Sequence, residues 1–286
     1  MKAKQYFQRI LVPVDGSHSC LHAKMLAALI AKEFKSKVTV IHVVTHEFMH
    51  PELKAQYRLP PAILHEIENS YLRAGRKIIR NAEDLFREEG IEADARLITY
   101  EDPAETVLQL VKEEGHDLVV IGNRAKTQAE RFSLGSVAEK VARHAECPVI
   151  VVKRKPKVAR MLVAIDGSEH AEKALEYAVE IAQKHGAKIT VLHVEEAKLL
   201  RLEPKAIEGI GECILLDAAT KIKEVEFDKK LEFGSPAQTI IKVAKKEDYD
   251  LIVIGSRGLS SVKRFFLGSV SDDVSMHAQC SVMIVR

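Results

Sequence analysis

One stretch of this sequence occurs twice, and the repeat limits the possible folds more than any other feature. Arg9-Ile10-Leu11-Val12-Pro13-Val14-Asp15-Gly16-Ser17 matches Arg160-Met161-Leu162-Val163-Ala164-Ile165-Asp166-Gly167-Ser168, at an offset of 151. Asp117-Leu118-Val119-Val120-Ile121-Gly122-Asn123-Arg124 matches Asp250 through Arg257 at an offset of 133. Pro103/Pro236, Gly135/Gly268, His144/His277 and Cys147/Cys280 keep that second offset to the end. Agreement over such lengths is a duplication. The change of offset makes the second copy 18 residues shorter between its second strand and the later match. At 286 residues the chain is long enough for two ordinary domains. They are read as residues 1–152 and 160–286, joined by a linker at 153–159.

Each copy alternates strands and helices. In the first, strands are expected near 9–14, 37–44, 93–99, 117–121 and 148–152. Helices are expected near 19–35, 61–89, 103–115 and 136–144, the second ended by Gly90 and the third begun by Pro103. In the first helix Leu21, Met25, Ala28, Leu29 and Ala31 recur at helical spacing. Strands of the second copy are expected near 160–165, 188–194, 225–233, 250–254 and 281–285. The alternation implies an α/β fold of two doubly wound domains, each a five-stranded parallel sheet flanked by helices. Ligands of such sheets bind beyond the strand C-termini, where strand order reverses. Asp15 ends the first strand, and the Gly122 loop follows the fourth. Both meet one ligand if those strands are neighbours, which favours the order 3-2-1-4-5. The linker spans only about 25 Å when extended, so the units must lie side by side. The fifth strand of each copy would be a bare apolar edge. These two edges are expected to pair, giving a pseudo-twofold arrangement.

The candidate site is the segment from Asp250 to Gly258, continued by Gly268-Ser269-Val270. It reads as a buried strand, a glycine loop and a helix start. Gly255 and Gly258 would let the backbone turn and approach a ligand. The helix start at Gly268-Ser269 would offer free N–H groups to an anion. The spacing is Gly, two residues, Gly, nine residues, Gly-Ser. It is neither a Walker loop nor a Gly-x-Gly-x-x-Gly fingerprint. A tight connection that binds nothing has the same pattern.

Taken with Val-Pro-Val-Asp-Gly-Ser, Val-Leu-His-Val, Asp-Leu-Val-Val-Ile-Gly and Cys-Pro-Val-Ile-Val-Val, this spacing resembles that of the universal stress protein family, written here in tandem. The resemblance implies binding of ATP or a related adenine nucleotide, with or without Mg²⁺, in the second half. By its pattern Ala164, Ile165 and Asp166 contact the nucleoside and Val194 touches the adenine. Ile254, Gly255, Arg257 and Gly258 line the loop. Gly268, Ser269, Val270 and Ser271 hold phosphates and ribose. The first-half counterparts, a weaker set, are Pro13, Val14, Asp15, Val43, Gly122, Arg124, Gly135, Ser136 and Val137. There Ala125 replaces the second glycine. If that position needs positive φ, alanine is strained in it.

Other motifs weigh less. His46-Glu47-Phe48-Met49-His50 spells a zinc-protease signature, but it follows a strand and Pro51 disfavours a helix there. His42 and His193 are expected to be buried and hydrogen-bonded, and Asp117 and Asp250 to be structural. Asp15 and Asp166 can cap a helix or bind a ligand. Arg124 and Arg257 can meet phosphate or point to solvent. Lys153-Arg154-Lys155 is expected to be a solvated linker, too short for nucleic acid. The net charge is +2 and there is no Cys-x-x-Cys pair, so nucleic-acid, membrane-surface and redox roles gain no support. No apolar run approaches the ~18 residues of a membrane span, and a cytoplasmic location is expected. The functions open to such a chain are nucleotide-dependent conformation or partner choice in stress response, slow ATP hydrolysis, or partner binding without nucleotide. Further homodimerisation is compatible with each.

Overall fold

The computed structural model describes residues 5–45, 60–99, 101–123, 134–196, 204–258 and 267–286. In the first half, β1 (Arg9–Pro13), α1 (His18–Phe34), β2 (Lys37–Val44), α2 (Pro61–Glu88) and β3 (Ala93–Thr99) come first. They are followed by α3 (Pro103–Glu114), β4 (Leu118–Gly122), α4 (Ser136–His144) and β5 (Val149–Val152). The second half repeats the series as β6 (Arg160–Ile165), α5 (Glu169–His185), β7 (Lys188–Glu195), α6 (Pro204–Lys221) and β8 (Phe227–Phe233). It ends with α7 (Pro236–Lys246), β9 (Leu251–Gly255), α8 (Ser269–His277) and β10 (Ser281–Val285).

All ten strands join one sheet, in the order β3-β2-β1-β4-β5-β10-β9-β6-β7-β8. Each half therefore has the expected order 3-2-1-4-5. The strands of each half are parallel, and β5 meets β10 antiparallel, with Val151 opposite Val282 and Ile150 opposite Met283. Every residue of β4, β5, β9 and β10 is buried, as continuous apolar runs must be when helices cover both faces. Successive side chains alternate between two cores. One packs under α1, α2, α5 and α6, the other under α3, α4, α7 and α8. The outermost strands, β3 and β8, are half-exposed and carry Asp94, Arg96, Asp228, Lys229 and Lys230, charges that blunt sheet edges.

Two sequence expectations are corrected. The buried face of α1 is formed by Cys20, Ala23, Leu26, Ala27, Ala28, Ile30 and Ala31, so Ala28 and Ala31 of the expected stripe are buried while Leu21 and Leu29 are 37% and 41% exposed. The helix is apolar on most sides, so its periodicity fits several stripes, and its position over the sheet selects one. The linker is solvated at Lys155, as expected, but Lys153 is half-buried. Lys153 Nζ donates to the carbonyls of Met276 and Ala278 at 3.1 and 2.8 Å, capping α8 across the seam. Arg286, at the equivalent place after β10, donates to the Ala142 carbonyl of α4 at 2.5 Å. Arg154 donates to Asp248 and to the Tyr249 carbonyl. A third tie joins Arg143 to both carboxylate oxygens of Asp272, at 3.0 and 2.9 Å. On the other face Phe7 lies between Phe34 and Tyr177, with ring centroids 4.9 and 5.3 Å away.

Burial pushes the Lys153 ammonium down to about 8. Unfolded, it titrates near 10.5. The unfolded state thus binds more protons between these values, and stability rises with pH across that window. Burial also raises the thiols of Cys20 and Cys280 to about 11 and of Cys147 to about 12. Their contribution is full below the unfolded thiol pKa and is lost as pH rises towards the folded values, the opposite sign. Comparing wild type with Lys153→Met cancels the Cys20 and Cys147 contributions, and below pH 9.5 the Cys280 thiol, raised to about 11, stays protonated in the folded state. Between pH 7.5 and 9.5 wild type should gain about 2 kcal/mol relative to the variant by urea unfolding. A difference that does not change with pH would refute this.

Candidate functional site

The site lies beyond the C-terminal ends of β6 and β9, the neighbouring strands from which the second-half order runs outward both ways. The turn after β6 starts at Asp166. Gly167 follows at φ +80°, a left-handed conformation costly for other residues. The Asp166 Oδ1 accepts the Ser168 N–H at 3.0 Å. Ser168 then caps α5, accepting the Ala171 N–H at 3.3 Å, while its hydroxyl donates to the Arg257 carbonyl, also at 3.3 Å. One serine thus ties the aspartate turn to the glycine loop.

The two loop glycines have steric duties and not the conformational one expected. Neither Gly255 nor Gly258 lies in the left-handed region. A Cβ on Gly255 would sit 2.7 Å from the His170 backbone carbon and 2.8 Å from the Ala171 nitrogen. Its bare backbone therefore lets α5 pack on β9. Gly122 does the same against Ser19 and Cys20 in the first half. A Cβ on Gly258 would lie 2.3 Å from the Asp166 Oδ2, so loop backbone and carboxylate are immediate neighbours. The positive-φ argument about Ala125 is corrected accordingly. Ala125 itself, like Arg124 and the His46–His50 motif, lies outside the described residues.

Gly268 caps α8 with extended backbone, and its N–H donates to the Ser256 carbonyl at 2.8 Å. No side chain caps α8 among the described residues, so its first-turn N–H groups are offered to whatever lies before the helix. Ser269 is exposed there. Ser271 is buried, and its hydroxyl donates to the Gly255 carbonyl at 2.7 Å. Its role in the fold is to lock α8 to β9. Ala164 and Ile254 are buried in the core under α7 and α8, and Val194 and Val270 pack against that core. Ile165 turns to the opposite face, so only its backbone shares the site, and its carbonyl accepts the His193 Nδ1–H at 2.8 Å.

Two features were not legible in the spacing. Ser256 is fully buried, and its Oγ has no hydrogen-bond partner among the described residues. Only burial reveals that. Arg286, beside Ser256 through the bond from the Ser256 N–H to the Val285 carbonyl, brings a second cation near Arg257. Burial and then Arg257 push the Arg286 guanidinium down to about 10. Burial and then Arg257 also lower His170. Two guanidinium groups, Arg257 and Arg286, thus gather at this end of β9 and β10 with a neutral His170 beside them, a field that suits an anion.

The first half brings together Pro13, Val14, Asp15, Val43, Gly122, Gly135, Ser136 and Val137 in the same plan, with differences. Asp15 is exposed, where Asp166 is half-buried. Its Oδ1 accepts both the Ser17 N–H at 2.9 Å and the Cys20 thiol at 2.8 Å. The residue matching Cys20 is Ala171, and the one matching Ser271 is Ala138. His42 pins β2 to the Val14 carbonyl at 2.7 Å, as His193 does in its half, and both are structural as expected. So are Asp117, which accepts the Gln8 and Arg9 N–H groups, and Asp250, which accepts those of Ala159 and Arg160. Among the described residues no group of three or more His, Cys, Asp or Glu side chains is placed to hold a metal ion. Nor is any helix among them long and apolar enough to cross a membrane.

Comparison with known proteins matches the pattern of the universal stress protein family to residues 6–153 and again to 157–286. A universal stress protein of Mycobacterium tuberculosis is 28% identical over 297 residues, covering 97% of this chain and 96% of its own. One from Methanocaldococcus jannaschii is 34% identical over 152 residues, covering 53% of this chain and 84% of its own. The crystal structure of a universal stress protein from Archaeoglobus fulgidus aligns with 98% of both chains at a TM-score of 0.73 and 21% identity, a likeness of fold.

Proposed function

The chain belongs to the universal stress protein family, and on that premise we propose that its second half binds ATP or a related adenine nucleotide. The observation that carries the proposal is the uncapped N-terminus of α8, set behind Gly268 beside the Asp166–Gly258 junction. First-turn N–H groups, the bare backbone of Gly258 and an adjacent carboxylate supply donors for phosphate and an acceptor for sugar hydroxyls. The fully buried Ser256 hydroxyl, unpartnered among the described residues, and the cradle that a Cβ on Gly258 would fill fit such a ligand. Asp166 would take the ribose, Val194 and Ala164 the adenine, and Gly258, Gly268 and Ser269 the phosphates, with Mg²⁺ as a companion of the phosphates. Among the described residues no side chain is placed as a committed base for water, so binding that biases conformation or partner choice in stress response is the function favoured over turnover. The first half, with its aspartate engaged by a thiol, is the weaker site. We read residues 1–152 and 160–286 as two units of one binding plan, one of which keeps it in full.

The test is to denature freshly purified protein and identify the released small molecules by mass spectrometry. About one adenine nucleotide per chain is the expected result. About two per chain would show that the first half also binds. None, with no rise in melting temperature on adding ATP and Mg²⁺, would overturn the proposal and leave a partner-binding module.

A further inference from the structure

We propose that His18 and His22, on the first turns of α1, form a two-histidine site for a divalent transition-metal ion. The residues are four apart on one helix and so stack on the same face. Their ring centroids are 5.4 Å apart, with the planes tilted by 62°. Zinc–nitrogen bonds are roughly 2.0–2.1 Å, and two imidazoles at a near-tetrahedral angle on one ion have centroids roughly 5 Å apart. The pair is therefore already close to chelating separation. His18 is exposed and His22 half-buried, so an ion reaches them from solvent, and water completes its coordination.

The surroundings select the kind of ion. Burial, His18 and then Lys155 disfavour the charged form of His22, which keeps a lone pair available at neutral pH. The same Lys155, and the positive end of the α1 dipole, oppose any cation held by charge alone. Magnesium and calcium, which need oxygen ligands, are thereby excluded. An ion bound through strong imidazole coordination is favoured, in the order nickel below copper and above cobalt.

The duplication supplies a control. The matching residues of α5 are Glu169 and Lys173, whose side chains pair at 3.0 Å. The site thus belongs to one copy, and the other shows a pair that the fold accepts in its place. It does not depend on nucleotide binding.

The experiment titrates the full, untagged chain with Ni²⁺ alone, followed by calorimetry. Wild type should take up an ion at this site. The double variant His18→Glu with His22→Lys, a transplant of the α5 pair, should fold normally by circular dichroism. Its affinity should fall by more than the roughly 10–100-fold that loss of an outer-shell partner costs. Adding Glu169→His with Lys173→His to that background should restore binding at the mirror position. Unchanged affinity in the first double variant, with loss only in His46→Gln with His50→Gln, would overturn the proposal. So would no uptake by wild type.

Discussion

Gly258→Trp is expected to empty the second-half site while leaving the fold intact. The position is half-exposed and lies past the end of β9, so no core contact is lost. Even a Cβ there would meet the Asp166 Oδ2 at 2.3 Å. An indole must therefore push the carboxylate off the Ser168 N–H or turn into the mouth before α8. Either removes what the proposed nucleotide needs. Protein purified with this substitution should release none of the nucleotide that wild type carries. In wild type, ligand at a hundred times its Kd adds about 2.7 kcal/mol, and the corresponding rise in melting temperature should vanish in the variant. Retention of a full complement of nucleotide would mean that the ligand sits elsewhere. Asp166→Asn keeps the shape of the carboxylate and loses only charge, so a smaller loss is expected from it by the same assay.

Phe7→Ala should produce the largest loss of stability of any substitution discussed. The ring is fully buried and sits against Phe34 of α1 and Tyr177 of α5. It therefore joins the halves on the face opposite the Lys153 and Arg286 caps. Removing a buried aromatic costs about 3–5 kcal/mol through lost transfer energy and the cavity left behind. That is a large part of the ~5–15 kcal/mol available to a domain. Phe7 also lies at φ +52°, where glycine is at ease and alanine is not. Phe7→Gly should therefore be no worse than Phe7→Ala, the reverse of the usual order. Urea unfolding of both variants measures this. A loss below about 1 kcal/mol for Phe7→Ala would mean that this aromatic contact adds little to joining the halves.

What the sequence determined by itself was the plan of one half and its repetition. Apolar runs of four or five residues between helical segments admit few arrangements except buried parallel strands. The need for Asp15 and the Gly122 loop to meet placed β1 beside β4, and by repetition β6 beside β9. The bare apolar edges of β5 and β10 foretold their pairing. These were legible because periodicity and strand order are properties of the chain read locally and then repeated.

Tertiary structure alone decided which groups have partners. The spacing singled out Gly255, Gly258 and Ser271 alike, yet the first makes room for α5, the second lies against a carboxylate, and the third locks a helix to a strand. Lys153 read as part of a solvated linker and instead caps a helix of the other half. The stripe on α1 was partly misjudged because the unbroken apolar run Met25–Ala31 carries no directional signal until a sheet lies beneath it. Ser256 gave no sign of being buried and, among the described residues, unpartnered. Such properties depend on what approaches from distant parts of the chain, and a hydrogen bond or a clash is settled within tenths of an ångström. A local pattern of residue types specifies no distance that fine.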